Sequence, residues 1–233
     1  MIERIKSLIN NFFQPKIIIY YGCRLYLNKN LISKKIRKII YNYAYELQEI
    51  SILSKTLDTK DVVLEIGAGM GFISIFCSKK IGDNSVFAYE ANPEMIPLIE
   101  KNYLLNKVSP VINNLILDKE NGEVDFYIES NFYSSSTIQR SKNAVKVRIK
   151  SRNINDELKD IKPNFLIIDI EGGEVELMNN ILFHENCINK ILIEVHPRIV
   201  GEDNINAIIQ RLFTQNFLLD TDISGKGVLF FYR

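Results

Sequence analysis

Residues 61–72 read Asp-Val-Val-Leu-Glu-Ile-Gly-Ala-Gly-Met-Gly-Phe, a short apolar run that passes directly into three alternating glycines. The run suits a strand buried on both faces, and the residues after it suit a turn and then a helix. In such a turn Gly67 permits the sharp reversal, Gly69 lets a ligand come against bare backbone, and Gly71 lets the helix pack closely on the strand. A chain that opens a sheet this way is committed to an α/β architecture with the turn at a strand's carboxyl end. On its own the triplet is also satisfied by a purely structural turn.

The rest of the chain keeps that commitment. Alternating patterns predict strands near 61–66, 85–90, 109–117, 164–170 and 189–195, with helices near 71–81, 93–105, 174–182 and 202–215. An insertion, 118–160, holds two further strands, EVDFYI and AVKVRI, around a Ser-rich loop. FLLDTD and GVLFFYR flank Gly225-Lys226-Gly227 and read as a terminal hairpin. The expected fold is α/β, a Rossmann-like, mostly parallel seven-stranded sheet ending in an antiparallel hairpin, with helices on both faces.

Before residue 59 the pattern differs, so residues 1–58 are read as an extension packing on a core of residues 59–233. Ile2, Ile5, Leu8, Ile9, Phe12 and Phe13 fall at helical spacing, and residues 17–28 suit a hairpin. A single stripe from Ile36 to Leu57 predicts one long helix. Charge is uneven. Residues 1–50 carry nine Lys and Arg against three Asp and Glu, while the whole chain has a net charge of only +1. That balance gives no case for nucleic acid; the basic segment reads as a solvated face, with peripheral membrane contact or a homodimer surface as alternatives. Cys23, Cys77 and Cys187 match no metal motif and read as reduced thiols. With no apolar run near the ~20 residues of a membrane span and no leader-like start, the expected compartment is the cytoplasm.

Glu90 ends the second core strand, where an acidic residue bonds ribose hydroxyls in this architecture. Glu65, just before the glycine turn, suits the ammonium of S-adenosylmethionine better than a dinucleotide pyrophosphate, and no Lys or Arg stands in the turn. The terminal hairpin points the same way. The expected cofactor contacts are Glu65, Gly67, Ala68, Gly69, Gly71, Glu90 and Ala91, with Asn114 near the adenosine. The weaker alternatives are an NAD-linked oxidoreductase and a binding protein that has lost activity.

A second group lies further on. Asp169 and Glu171 are two apart at one strand end, Glu194 and His196 two apart at the next, so each pair shares a side of its strand. Neighbouring strands would gather three carboxylates and an imidazole beside the cofactor crevice, Asp169 bordering both. Three readings stand. Asp169 or His196, with Glu171 beside them, is a general base; the four residues hold a divalent metal; or they bond substrate and cap the next helix. The base reading for Asp169 is preferred, no metal is expected, and Glu194 is assigned to substrate.

VVLEIGAGMGFIS, FAYEANPE, FLIIDIEGGEVELM and ILIEVHP together resemble the FkbM-type methyltransferases over roughly residues 45–232. The most specific element is Asp169, Glu171, Gly172 and Glu174. Gly173 stands where an aromatic residue is frequent, Glu65 where Asp is usual and Gly69 where Asn is frequent. The resemblance implies a class I fold and an S-adenosylmethionine-dependent enzyme that methylates a hydroxyl of a sugar, glycan or sugar-bearing small molecule. Asn131 to Thr137 is similar to the family's Ser-containing loop, which implies substrate contact at Ser135 and Ser136.

Overall fold

The structure is a computed structural model that describes residues 2–129, 135–225 and 227–233. The part of the expected loop at 131–134, and Lys226 of the terminal turn, lie outside the described residues.

A seven-stranded sheet forms the centre. In chain order its strands are β3 (Val63–Ile66), β4 (Val86–Tyr89), β5 (Val111–Asn113), β9 (Phe165–Ile168), β10 (Lys190–Glu194), β11 (Leu218–Leu219) and β12 (Val228–Tyr232). Their spatial order is β11-β12-β10-β9-β3-β4-β5. The five strands from β10 to β5 run parallel, and β12 is antiparallel to both β10 and β11. The chain therefore winds outward from β3 through β4 to β5, then returns to β9 on β3's other side. That reversal makes a crevice at the carboxyl ends of β3 and β9, where open α/β sheets bind ligands.

Successive strand residues go to opposite faces, as the period of two requires. Val63, Ala88, Ile167 and Leu192 join one hydrophobic cluster; Leu64, Tyr89, Ile168 and Ile193 join the other. The first is covered by α4 (Phe72–Ile81) and α5 (Ile96–Asn106), the second by α6 (Ile154–Ile161), α7 (Glu174–Asn180) and α9 (Glu202–Thr214), with a short α8 (Pro197–Val200) before α9. The expected fold class is what the sheet shows.

Upstream lie α1 (Ile2–Phe13), the hairpin β1 (Ile17–Tyr20) and β2 (Cys23–Tyr26), then α2 (Lys34–Tyr41) and α3 (Leu47–Thr56). Tyr20, Leu25, Ile40 and Leu53 belong to the same cluster as Val63 and Ile75. Asn102 and Asn106 of α5 accept hydrogen bonds from Tyr26 and Arg24 backbone N–H groups, both at 2.8 Å.

Two local expectations are corrected. The single helix expected between Ile36 and Leu57 is two helices, broken where Tyr43 and Glu46 adopt left-handed φ values of 57° and 46°. The apolar stripe continues across the break, so spacing alone could not reveal it. The strand expected over 109–117 also splits. After β5 the chain turns at Asn114-Leu115, and β6 (Ile116–Asp118) joins a separate sheet of order β6-β8-β7, with β7 (Gly122–Ile128) and β8 (Val145–Asn153). The insertion also holds α6, which the alternation did not show. Asn153 starts it, its side chain accepting from the Asn155 and Asp156 backbones.

Candidate active site

A cleft of about 1060 Å3, counted with its open mouth, lies at the reversal point. The carboxyl ends of β3, β4 and β9 form its floor through Gly67, Gly69, Glu90, Ala91, Asp169 and Glu171. Tyr45 and Glu46, carried in by the break between α2 and α3, make one wall; Phe126 and Ser135–Thr137 of the insertion make another.

The glycine turn is fixed by geometry rather than by composition. At φ +93°, a Cβ on Gly67 would stand 1.8 Å from the Asp169 carbonyl oxygen, so only glycine lets the ends of β3 and β9 meet. A Cβ on Gly71 would reach Ile99 and Tyr103 of α5 at 3.0 Å, so the close packing there is against a neighbouring helix rather than the strand expected. Gly67 and Ala68 donate to the Tyr89 carbonyl at 2.9 and 3.0 Å. Glu90 completes the turn: its two carboxylate oxygens accept from Gly69 N–H and Asn92 N–H, both at 2.8 Å. Burial pushes the Glu90 carboxyl up to about 7, against the pull of those N–H groups.

The other side is acidic. Asp169 has its side chain 36% exposed, yet its Oδ1 is buried without a hydrogen-bond partner. Burial, then Glu194 and Glu171, push its carboxyl well above the usual range. Asp169 and Glu194 lie within hydrogen-bonding reach of each other, and two carboxyls in that relation need a shared proton. His196 Nε2 lies 3.8 Å from Asp169, 3.6 Å from Glu171 and 3.9 Å from Glu194. Burial works against charging the imidazole, but Glu174, Glu171 and Glu194 outweigh it and raise its pKa. The fully buried Glu174 ties the two strand ends together. It accepts from Gly172 N–H at 2.7 Å and His196 N–H at 2.9 Å, with His196 Nδ1 at 3.3 Å.

Several expected residues stand elsewhere. Glu65 does not line the cleft; it is buried on the α4 side of the sheet, facing the Ser74 hydroxyl and N–H, with its carboxyl raised by burial to about 8. Ala68 and Gly71 shape the turn from behind. Asn114 is also outside the lining, and its amide clasps the carbonyls of Glu90 and Ala91 at 2.7 and 3.0 Å. Ser135 and Ser136 do line the cleft, although the Ser135 hydroxyl accepts from Glu129 N–H and that of Ser136 bonds Ile138. Glu194 and His196 sit behind Asp169 rather than on the cleft surface.

Sequence reasoning missed three contributors. Tyr45 and Glu46 depend on the helix break, and Arg140 of the insertion reaches back to Glu171 at 3.0 Å and to its carbonyl. No spacing rule couples residues 31 apart across two sheets. Asp169, Glu171 and His196 each offer one atom within 4.8 Å of the others, a spacing that could hold a metal ion.

Comparison with known proteins gives the family and the fold. A family model described as a methyltransferase FkbM domain matches residues 65–219. Hexuronic acid methyltransferase AglP of Haloferax volcanii is 24% identical over 162 residues, covering 68% of this chain. The chain spans 65% of that relative's length. Among solved structures, the precorrin-6y C5,15-methyltransferase of Geobacter metallireducens aligns with a TM-score of 0.51 at 14% identity, covering 90% of this chain and 94% of that one. The tRNA (uracil-54, C5)-methyltransferase of Pyrococcus abyssi, solved with S-adenosyl-L-homocysteine, aligns at 0.50 with 11% identity, covering 94% and 44%. The matched stretch holds the glycine turn, Glu90 and both acidic strand ends, and the chain belongs to the methyltransferase FkbM domain family.

Proposed function

We propose that this protein transfers a methyl group from S-adenosylmethionine to a hydroxyl of a sugar, a glycan or a sugar-bearing small molecule. One observation carries the reading: Asp169, its side chain 36% exposed, lines the same cleft floor as the Gly67–Gly69 turn and Glu90, while its buried Oδ1 turns toward His196. A base and a nucleoside pocket then share one floor. The hexuronic acid activity of the Haloferax relative supports the sugar class of acceptor.

The residues present suit the cofactor. Glu90 keeps lone pairs beyond the two backbone bonds and would accept from ribose hydroxyls. Glu46 has a buried oxygen without a hydrogen bond; burial pushes its carboxyl and that of Asp169 well above the usual range, and a cationic ligand would favour their ionised forms. S-adenosylmethionine supplies an electrophilic methyl on a sulfonium. Because that methyl needs no further activation, the protein's share is alignment, exclusion of water and removal of one proton. Alignment is worth on the order of 7–11 kcal/mol in favourable cases. Ionised beside a bound cation, Asp169 takes the acceptor hydroxyl's proton, and burial makes it a stronger base than a free carboxylate. Glu194 and His196 position Asp169 from behind, and Glu174 holds His196 in place. Residues 1–58 act as an extension that closes the cleft through Tyr45 and Glu46.

Thermal unfolding with S-adenosylhomocysteine, and separately with NAD, tests the cofactor. A ligand at 100 times its Kd stabilises by about 2.7 kcal/mol. A shift with S-adenosylhomocysteine alone is expected; a shift with NAD alone overturns the reading. Transfer of labelled methyl to hexuronic-acid glycans then tests the acceptor, and label arriving only on nitrogen or carbon would exclude O-methylation.

A further inference from the structure

The first helix is amphipathic in the opposite sense to a helix packed on a core. Its polar residues face the protein: Ser7 donates to Asn42 Oδ1 at 2.8 Å, Asn11 to the same oxygen at 2.7 Å, and Asn10 to the Tyr43 hydroxyl at 3.1 Å. Its apolar residues face solvent. Ile5, Leu8, Ile9, Phe12 and Phe13 are 52, 67, 50, 81 and 72% exposed. A surface helix of a globular protein normally turns that stripe inward.

The charges are placed to match. At 3.6 residues per turn the five apolar side chains span an arc of about 140°, and Arg4 and Lys6 fall just beyond its two edges. Long cationic side chains at the borders of an apolar stripe can lay their stems along it and carry the charge outward to phosphate. Residues 1–41 hold nine Lys and Arg against one acidic residue, Glu3. The outward pattern continues on β1, where Ile17 and Ile19 are exposed and Ile18 and Tyr20 are buried. The helix cannot span a bilayer: twelve residues extend about 18 Å, and among the described residues no helix is long and apolar enough to cross a membrane. A second copy of the chain is disfavoured as the cover, because it would bring two strongly basic segments together.

We infer that α1 lies in the surface of an anionic phospholipid bilayer, with Leu8, Ile9 and Phe12 at the acyl boundary and Arg4 and Lys6 among the headgroup phosphates. The bonds from α1 to Asn42 and Tyr43 link the docked helix to the segment that carries Tyr45 and Glu46 into the cleft wall. This inference does not depend on which molecule is methylated.

Flotation of the full chain with phosphatidylcholine vesicles, with and without phosphatidylglycerol, tests it. The protein is expected to float with the anionic vesicles and to be released by salt. The chain has no tryptophan, so Phe12→Trp gives a single emission reporter that blue-shifts on those vesicles and stays unshifted with phosphatidylcholine alone. Leu8→Asp and Phe12→Asp each lower the vesicle partition about tenfold or more. Arg4→Glu with Lys6→Glu lowers it roughly fivefold or more per charge, and serves if the first pair misfolds. An unchanged unfolding midpoint and S-adenosylhomocysteine response show that a variant is intact. Failure of the wild type to float, or floating undiminished by these substitutions, overturns the inference. So does a concentration-dependent dimer abolished by Leu8→Asp and Phe12→Asp in a protein that never floats, which would give the face to a second copy.

Discussion

The two walls of the cleft floor are built by opposite means. At the β3–β4 end, the groups of the turn are answered: the glycine turn hangs from the Tyr89 carbonyl, Glu90 accepts two backbone N–H groups, and Asn114 clasps the carbonyls on either side of Ala91's nitrogen. At the β9–β10 end, carboxylates crowd one another. Asp169, Glu171 and Glu194 stand around His196, with Arg140 salt-bridged to Glu171 and an Asp169 oxygen left without a hydrogen bond. Like charges at such spacing are tolerated only with a proton or a cation among them. On the proposed reading, the first wall takes the neutral nucleoside, and the second meets the positive charge and moves the proton.

The largest expected effect separates the walls most sharply. Asp169→Asn keeps the shape and removes the proton acceptor, so turnover should fall on the order of 10²- to 10⁴-fold, far more than S-adenosylhomocysteine affinity read by calorimetry. Full turnover in that variant would remove both the base role and any essential metal role from the acidic wall. Gly67→Ala attacks the seam between the walls. The new methyl meets the Asp169 carbonyl at 1.8 Å with φ at +93°, and a loss of roughly 3 kcal/mol or more in unfolding free energy is expected by denaturant titration. A loss under about 0.5 kcal/mol would mean the two strand ends do not meet as described. Glu90→Gln keeps one acceptor and replaces the other with a donor facing a backbone N–H. Cofactor affinity should weaken about 10- to 100-fold, with a smaller effect on turnover at saturation. If kcat fell and affinity held, Glu90 would belong with the chemistry and the division into two walls would fail.

The same contrast explains what could be read before folding. The first wall is local: an apolar strand, three glycines and an acid at the next strand's end lie within thirty residues. Glu65 is the most instructive of its residues that stand off the cleft surface. It sits on β3 immediately before the turn, but period-two alternation sends its side chain to the face under α4, beside Ser74, rather than toward the ligand. The acidic pairs converge as expected, but not by strand alternation: β9 ends at Ile168 and β10 at Glu194, and Glu171 sits in a turn with a left-handed φ of 51°, so neighbouring strand ends and their turns gather the four residues. Tyr45, Glu46 and Arg140 were not legible. They arrive through a helix break that leaves the apolar stripe intact and through an insertion that folds back over the site, and both depend on tertiary contacts.

The smallest effect, and the broadest, is the response to pH. Glu90 and Glu49 are raised to about 7 and Glu65 to about 8, in each case chiefly by burial. Between the ordinary carboxylate range and those values the unfolded chain has lost protons that the folded chain keeps, so stability falls as pH rises. His196, raised by its acidic neighbours, adds to the same trend, because its stabilising charge is lost above its folded pKa. Glu174 works oppositely: its carboxyl is held low by His196 once burial is overcome, and its contribution fades only toward acid. The unliganded midpoint should therefore be highest near pH 5 and drop by about 5 °C or more toward pH 8. S-adenosylmethionine, which brings a sulfonium and an ammonium, should flatten that slope more than S-adenosylhomocysteine, which brings the ammonium alone. Equal flattening by both would place the acidic wall away from the sulfonium, and a midpoint that rises steadily from pH 5 to 8 would show that these carboxylates are ionised and paired, leaving the two walls electrostatically alike.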